Sequence, residues 1–461
     1  MSIRFVFLWT DFLVYVLLAV AVGFGAYASR HEHLREPWRQ VARRPLAMAA
    51  LVVLSIYGAI GLLDSVHFQE RLPQGQYSAE VKSVLDVVLT PIRTHVERTY
   101  SAPFALRSFT SEMVERNDGT TARVYPRLKY GGAHLADSAA RAGDIAVRLA
   151  WATAEAAVAW LLALFAFVYG WRSSGESLRA AFLRLARGVG SIPWRTIFFT
   201  VGAVLVLANS VIHLAPYYHI FGTDQVGIDV LYKTLKSVRT GLVIGTLTTL
   251  VMLPFAMVLG VAAGYFGGWA DDAIQYFYTT LSSIPAVLLI AAAILSLQVY
   301  MTNRPELFDN VVVRADWRLL FLCMILGVTS WTSLCRLLRG ETLKLRELDY
   351  VDSARALGVS GARIMTRHLF PNVMHIVLIA VVLDFSGLVL AEAVLSYVGV
   401  GVDPTMDSWG NMINGARLEM ARDPIVWWTL AAAFVFMFGL VLAANLFADA
   451  VRDALDPRLR R

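Results

Sequence analysis

Four carboxylates stand inside long apolar runs of this 461-residue chain: Asp11, Glu155, Asp384 and Glu392. An ionisable group is costly in hydrocarbon, so such residues either pair and face other helices or serve a solute or proton pathway. Asp11 and Glu155 fit the first role. Glu392 lies near the outer end of its run and fits a gate or a helix-packing contact, whereas Asp384, deeper in its run, fits either role. Motifs for hydrolytic chemistry are missing. None of the five lysines (Lys82, Lys129, Lys233, Lys236 and Lys344) sits in a Gly-Lys-Ser/Thr phosphate loop. There is no His-Glu-x-x-His zinc helix and no Gly-x-Ser-x-Gly elbow. His31 and His33 lie in a basic loop and read as a solvated juxtamembrane segment. Cys323 and Cys335 share one apolar stretch. Twelve helical residues part them by about 18 Å, too far for a disulfide.

The elements that must position these groups are membrane helices. The chain is 57% hydrophobic and 16% charged, whereas soluble domains run near a quarter charged. Nine stretches reach the length of about 20 residues that a helix needs to cross a bilayer, near 5–27, 46–63, 149–170, 195–216, 239–264, 272–297, 319–338, 372–395 and 427–448. Backbone hydrogen bonding in lipid makes such runs helical, so the expected fold is an all-α polytopic membrane protein. The first run is longer than a signal peptide's apolar core and lacks a small-x-small cleavage site, so it reads as a retained span.

Basic residues set the expected orientation. Arg30, Arg35, Arg39, Arg43 and Arg44 fall in one loop, and Arg172, Arg179, Arg184 and Arg187 in another. The loop 336–371 and the tail with Arg452, Arg458, Arg460 and Arg461 fall on the same side if nine spans alternate. That side is the cytoplasm by the positive-inside rule, which leaves the N-terminus outside. The same rule explains the net charge of +6 without any nucleic acid. The long loop 64–148 then faces outward as an extracytoplasmic insertion, with 78–98 expected as a helix carrying Val81, Val84, Leu85, Val88, Leu89 and Ile92 on one face. The segment 298–318 forms a second, shorter outward loop.

The cytoplasmic loop after the seventh run carries the most specific pattern, Tyr350-Val-Asp-Ser-Ala-Arg-Ala-Leu-Gly358, continuing to His368-Leu-Phe-Pro371. Gly358 suits the left-handed conformation that ends a helix, and Pro371 suits the first turn of the next. The spacing predicts a short amphipathic helical hairpin, basic on its exposed face. Such a hairpin is a rigid peg for another protein or a plain structural loop.

This loop resembles the coupling motif of ABC importer permeases, Glu-Ala-Ala-x3-Gly-x9-Ile-x-Leu-Pro. Asp352, Ser353 and Ala354 stand at the first three positions, Gly358 at the glycine, and His368, Phe370 and Pro371 at the last. Ser353, His368 and Phe370 depart from the pattern. Residues 221–461 as a whole resemble the C-type permease of binding-protein-dependent dipeptide/oligopeptide importers. Gly222-Thr-Asp224, Gly227 and Asp229 are similar to an extracytoplasmic segment of that family, with Ile228 in place of its Arg. Ala263–Trp269, Leu390–Ala393, Gly399–Gly401, Ser408–Met412 and Asp453–Arg458 resemble further family segments in order.

The resemblance implies a permease core at 221–461 with about five spans, preceded by an extension at 1–220 with about four. It implies that 350–371 docks on a cytoplasmic ATPase, with Asp352, Ser353, Ala354, Leu357, Gly358, Arg363, Arg367 and Pro371 as the coupling residues. Gly222, Thr223, Asp224, Gly227, Asp229 and Glu392 would belong to the outer segment and gate. The implied partners are two ABC ATPase subunits holding ATP and magnesium, a B-type permease, an extracytoplasmic solute-binding protein, a peptide substrate and membrane lipid. No catalysis and no cofactor or metal of this chain's own is expected. A proton-coupled secondary transporter using Asp384 or Glu155 is the alternative.

Overall fold

A computed structural model describes residues 3–71, 76–115, 121–172, 176–188, 190–308 and 310–455. Arg458, Arg460, Arg461, Pro73 and the 456–458 end of the C-terminal motif lie outside the described residues, as does the side chain of His33.

Among the described residues, seven helices are long and apolar enough to cross a bilayer: Trp9–Arg30, Pro45–Asp64, Ser138–Trp171, Trp194–Leu214, Val230–Phe266, Gly361–Val398 and Trp428–Leu455. An eighth run, expected as one span near 272–297, is broken into Gly268–Ser283 and Ala286–Thr302, bent by 83°. Pro285 is the cause. It has no N–H, and its ring forces Ile284 out of the helical region, to φ −86°, ψ 130°. The run expected at 319–338 starts earlier and is divided into Val311–Ser330 and Thr332–Leu345. Arg314, Asp316 and Arg318 make its first half less apolar than the other spans. These helices together agree with a polytopic all-α protein of about nine spans.

The chain folds as two compact units, one of Met1–Phe5, Trp38–Arg239 and Asp407–Phe447, the other of Val6–Pro37, Thr240–Met406 and Ala448–Arg461. In the first unit Arg141–Trp171 packs along Trp194–Leu214. Gly202 admits the Trp160 ring, whose Nε1 donates to Phe198 O at 2.7 Å. Glu155 pairs with His213 at 2.8 Å, the structural role expected of it. Over the end of this bundle lies the insertion. Its strands Ile3–Phe5, His67–Glu70 and Lys82–Ser83 form an antiparallel sheet, with Ile3 opposite Glu70 and His67 opposite Ser83. Glu112–Glu115 and Thr121–Val124 form a separate hairpin.

The helix expected over 78–98 is two short ones, Val84–Val88 and Thr90–Thr94. Ser83 and Asp86 close a capping box that starts the first only at Val84. Pro91 has no N–H to continue that helix and sits instead in the first turn of the second.

In the second unit small residues let helices approach closely. A Cβ on Gly260 would lie 2.8 Å from Cys335 O, one on Gly264 2.6 Å from Thr342 Cβ, and one on Gly245 2.5 Å from the Phe385 ring. Lipid is as apolar as the helix surfaces, so this tight contact rather than water exclusion holds the spans together. Cys323 and Cys335 are buried free thiols, as their spacing predicts.

Candidate functional site

The hairpin 350–371 is built on a fully apolar underside. Asp349–Ala356 forms its first helix, with Asp349 and Asp352 in the first turn and Arg355 in the last. That order suits the helix dipole. Gly358 follows with φ +73°. Its N–H donates to Arg355 O at 3.0 Å, and Val359 N–H donates to Ala354 O at 3.1 Å, the paired bonds of a Schellman stop. The chain then turns into Gly361–Ile364 and runs through a π-helical turn, Met365–Leu369, into Phe370–Tyr397. Pro371 stands in the first turn of Phe370–Tyr397, as expected, and the turn before it widens, with Phe370 N–H donating to Met365 O. A π-turn tolerates the missing N–H without ending the helix.

Val351, Ile364 and Leu369 are each 0% exposed and pack with Tyr265, Trp331, Leu338 and Val373 in one core cluster. Ala354 belongs to that underside as well. The opposite face holds Asp352, Ser353, Gly358, Arg363, Arg367 and Pro371, all exposed. Leu357 stands at its tip, 83% exposed. Of the residues expected to couple, seven therefore share the outer face and Ala354 anchors the inner one. The base is braced by Asn372 Nδ2 donating to Tyr350 Oη at 3.0 Å. Arg346 donates to Gly264 O at 3.3 Å, and Arg339 grips Asp271 through two bonds of 2.5 and 2.6 Å.

In the other unit, the segment 222–229 clasps the insertion. Gly222 and Gly227 have φ of +69° and +77°, and a Cβ on them would strike Ser101 O at 2.3 Å and Glu97 O at 1.9 Å respectively. Thr223 Oγ1 donates to Thr99 O at 2.8 Å, its carbonyl accepts from Trp428 Nε1 at 3.0 Å, and its N–H donates to Ser101 O at 3.0 Å. Asp224 Oδ1 accepts from Val226 and Ile228 N–H at 3.0 and 2.9 Å, while Oδ2 pairs with Lys233 at 2.5 Å. Asp229 Oδ1 accepts the Leu231 N–H at 2.8 Å and so caps the start of Val230–Phe266.

Two groups here escaped the sequence. His219 lies between Asp229, at 2.7 Å, and Glu97, at 3.4 Å, with all three side chains 3% exposed. Burial opposes the imidazolium, but the bonds to Asp229 and Glu97 and the attraction of both carboxylates lift His219 to about 9. Burial likewise raises Glu97, but the His219 bond and the N–H groups of Tyr130, Lys129 and Gly131 outweigh it and bring Glu97 to about 2. Lys236 meets Asp64 at 2.6 Å and Asp86 at 3.2 Å, and Tyr232 Oη donates to Asp86 at 2.7 Å. The only sequence signal for this second cluster was a lysine and an aspartate placed at the ends of apolar runs. In the second unit Glu392 is 2% exposed and accepts the Ser396 hydroxyl at 2.6 Å. Among the described residues no cluster of His, Cys, Asp and Glu has a metal-holding geometry.

Helices long and apolar enough to cross a bilayer, with a polar hairpin anchored on an apolar underside, define a polytopic membrane protein. Residues 256–461 match the family described as the binding-protein-dependent transport system inner membrane component. The oligopeptide transport system permease protein of Mycobacterium tuberculosis is 32% identical over 242 residues, 52% of this chain and 77% of that protein. A glutathione transport system permease protein of Pectobacterium atrosepticum is 33% identical over 244 residues, 52% of this chain and 73% of that one. The dipeptide transport system permease protein of Bacillus subtilis is 30% identical over 243 residues, 53% and 70% of the two chains. This chain belongs to the binding-protein-dependent inner membrane permeases: it is a multi-pass transport subunit of an ABC importer.

Proposed function

We propose that this permease carries short peptides inward across the inner membrane by alternating access, driven by ATP hydrolysed on two separate ATPase subunits. A second, B-type permease completes the pathway, and a solute-binding protein delivers substrate at the outer face. The N-terminus faces outward and the C-terminus the cytoplasm. Residues 1–220, with the insertion at 64–148, add a peripheral scaffold that touches the binding protein or the partner permease, and 221–461 forms the transport core.

One observation carries the coupling role. The hairpin 350–371 sets an 83%-exposed leucine and a ring of charges above an underside whose anchors Val351, Ile364 and Leu369 are 0% exposed. An exposed apolar tip on a rigid base is what a partner's cleft requires of a peg. ATP-driven closure of the ATPases would pull on this peg and bias one of two states of the helices, which is how a distant energy source moves a pathway. Support for peptides comes from the relatives, of which two are named for oligopeptide and dipeptide transport.

The test is purification and uptake. The reading holds if ATPase subunits co-purify with the wild-type chain and L357D and G358P abolish both co-purification and ATP-dependent dipeptide uptake. Uptake that survives both substitutions and ATP depletion would sink it and favour a proton-driven carrier.

A further inference from the structure

Arg314 and Arg318 stand one turn apart on Val311–Ser330 and turn toward the same carboxylate: Asp403 Oδ2 lies 4.0 Å from Arg314 Nε and 3.8 Å from Arg318 Nη1. Asp316, midway between them, faces elsewhere; it accepts the Trp9 N–H at 2.8 Å and the Thr10 hydroxyl. Its negative charge is therefore spent on the N-terminal helix and not on the two arginines. Together with Gln298, Thr302 and Thr405, the three charged residues line a cavity of about 600 Å³, within the usual range for small-molecule sites.

The charges of this cavity do not balance. Two guanidinium groups face one carboxylate, at distances longer than a direct charge-assisted hydrogen bond. Arg318 is 6% exposed, its Nη2 donates to Gly401 O at 3.3 Å, and its Nε has no acceptor among the described residues. The Gln298 amide, turned by the local hydrogen-bond pattern, sets its oxygen 2.7 Å from Arg318 Nη1 and so fixes the plane of the guanidinium. A buried, under-bonded cation is costly, and the remedy is an anion with planar, two-oxygen geometry. Asp403 narrows the choice. Its Oδ1 is held by the Thr405 N–H and hydroxyl at 3.0 and 2.7 Å, and Oδ2 is the oxygen nearest the two arginines. A single-charged carboxylate beside an N–H donor matches two arginines and an aspartate, whereas a doubly charged phosphate would be repelled by Asp403.

We infer that this cavity holds the C-terminal carboxylate of the transported peptide, with Arg314 and Arg318 on the carboxylate and Asp403 on the adjacent amide N–H. The inference rests on the peptide reading above and adds the recognition site. Arg314, with a side chain 43% exposed, stands at the accessible edge and is the residue to change.

The complete transporter, with its ATPases and binding protein, would be reconstituted in phosphatidylcholine vesicles. Uptake of dialanine and of its C-terminal amide would be measured per reconstituted complex. The expected result is that R314Q lowers the acid-to-amide uptake ratio about tenfold, the factor of one charge-assisted hydrogen bond, and that R314K restores part of it. Selection by the binding protein is common to all variants and cancels. An unchanged ratio in R314Q, with dipeptide still transported, overturns the cavity alone. Failure of the wild type to transport dipeptide overturns the peptide reading and this inference with it. An R314Q effect seen only when phosphatidylglycerol is added assigns the cavity to a lipid headgroup and overturns the inference.

Discussion

Glu97 Oε1 and His219 Nε2 lie 3.4 Å apart and join two positions separated by 122 residues, both buried. Their contact fastens the insertion to the segment that leads into Val230–Phe266. The bond is an ion pair only while His219 is charged. Its pKa is raised to about 9 in the folded chain, against about 6.5 for a free imidazole. The stabilisation is therefore complete below about pH 6.5 and is lost as pH rises through about 9, on the order of 3 kcal/mol in all. The exchange protection of residues 97–131, corrected for the intrinsic base-catalysed rate, should fall from pH 7 to 10 in the wild type. H219Q should be weakened already at pH 7 and show no such step. A wild-type profile without the step would sink this account.

Lys236 is the second fastening, bonded at once to Asp64, Ser83 and Asp86. Asp64 and Asp86 are 3% and 4% exposed. K236M should cost about 3–5 kcal/mol, the usual penalty for stripping a buried carboxylate of its counter-ion. Adding D64N to it should recover part of the loss. The detergent-solubilised chain's unfolding in denaturant would report both, and a neutral K236M would be incompatible with the pairing.

Leu357 should behave as a binding hot spot and not as a stability residue. L357A removes a side chain that is 83% exposed and leaves the underside intact, so the thermal midpoint of the isolated chain should hold. Affinity for the ATPase should fall by about 2 kcal/mol, roughly thirtyfold. G358A is expected to act differently. At φ +73° nothing crowds its Cβ, so the cost is backbone strain of about 1–2 kcal/mol, read as faster hydrogen exchange of 349–359.

Helix packing separates two glycines of the second unit. A Cβ at Gly264 meets Thr342 Cβ at 2.6 Å and Arg339 O at 2.8 Å, whereas at Gly387 nothing lies within 4 Å. G264A should destabilise by about 1–3 kcal/mol through overpacking. G387A should be neutral or gain up to about 1 kcal/mol from helix propensity. A thermal-shift comparison of the two purified variants decides it; equal effects would contradict the close crossing.

Much of the architecture was legible without coordinates. Apolar length marks a span because a helix satisfies its own backbone in lipid, and so seven of the expected runs appear as single long helices. The stop at Gly358 was legible too, since a short helix followed by glycine has few alternatives. The continuity through Pro371 was not. It depends on the π-turn Met365–Leu369, beside which Leu369 and Val373 are both buried in the core. Nor was the bend at Pro285, because an apolar run with an internal proline is compatible with either a kink or a break.

The sequence by itself determined that the chain is a polytopic membrane protein, and its ordered motifs carried the resemblance to importer permeases: apolar length, basic-loop placement and short motifs are local or near-local properties. Tertiary structure decided which charges meet. Glu97 finds His219, Lys236 finds Asp64 and Asp86, and Arg314 and Arg318 find Asp403, while Asp316 turns aside to the N-terminal helix. Each of these pairings joins positions far apart in the chain. Charge attraction has no sequence period of its own, so nothing short of the folded backbone could show which partner each one takes.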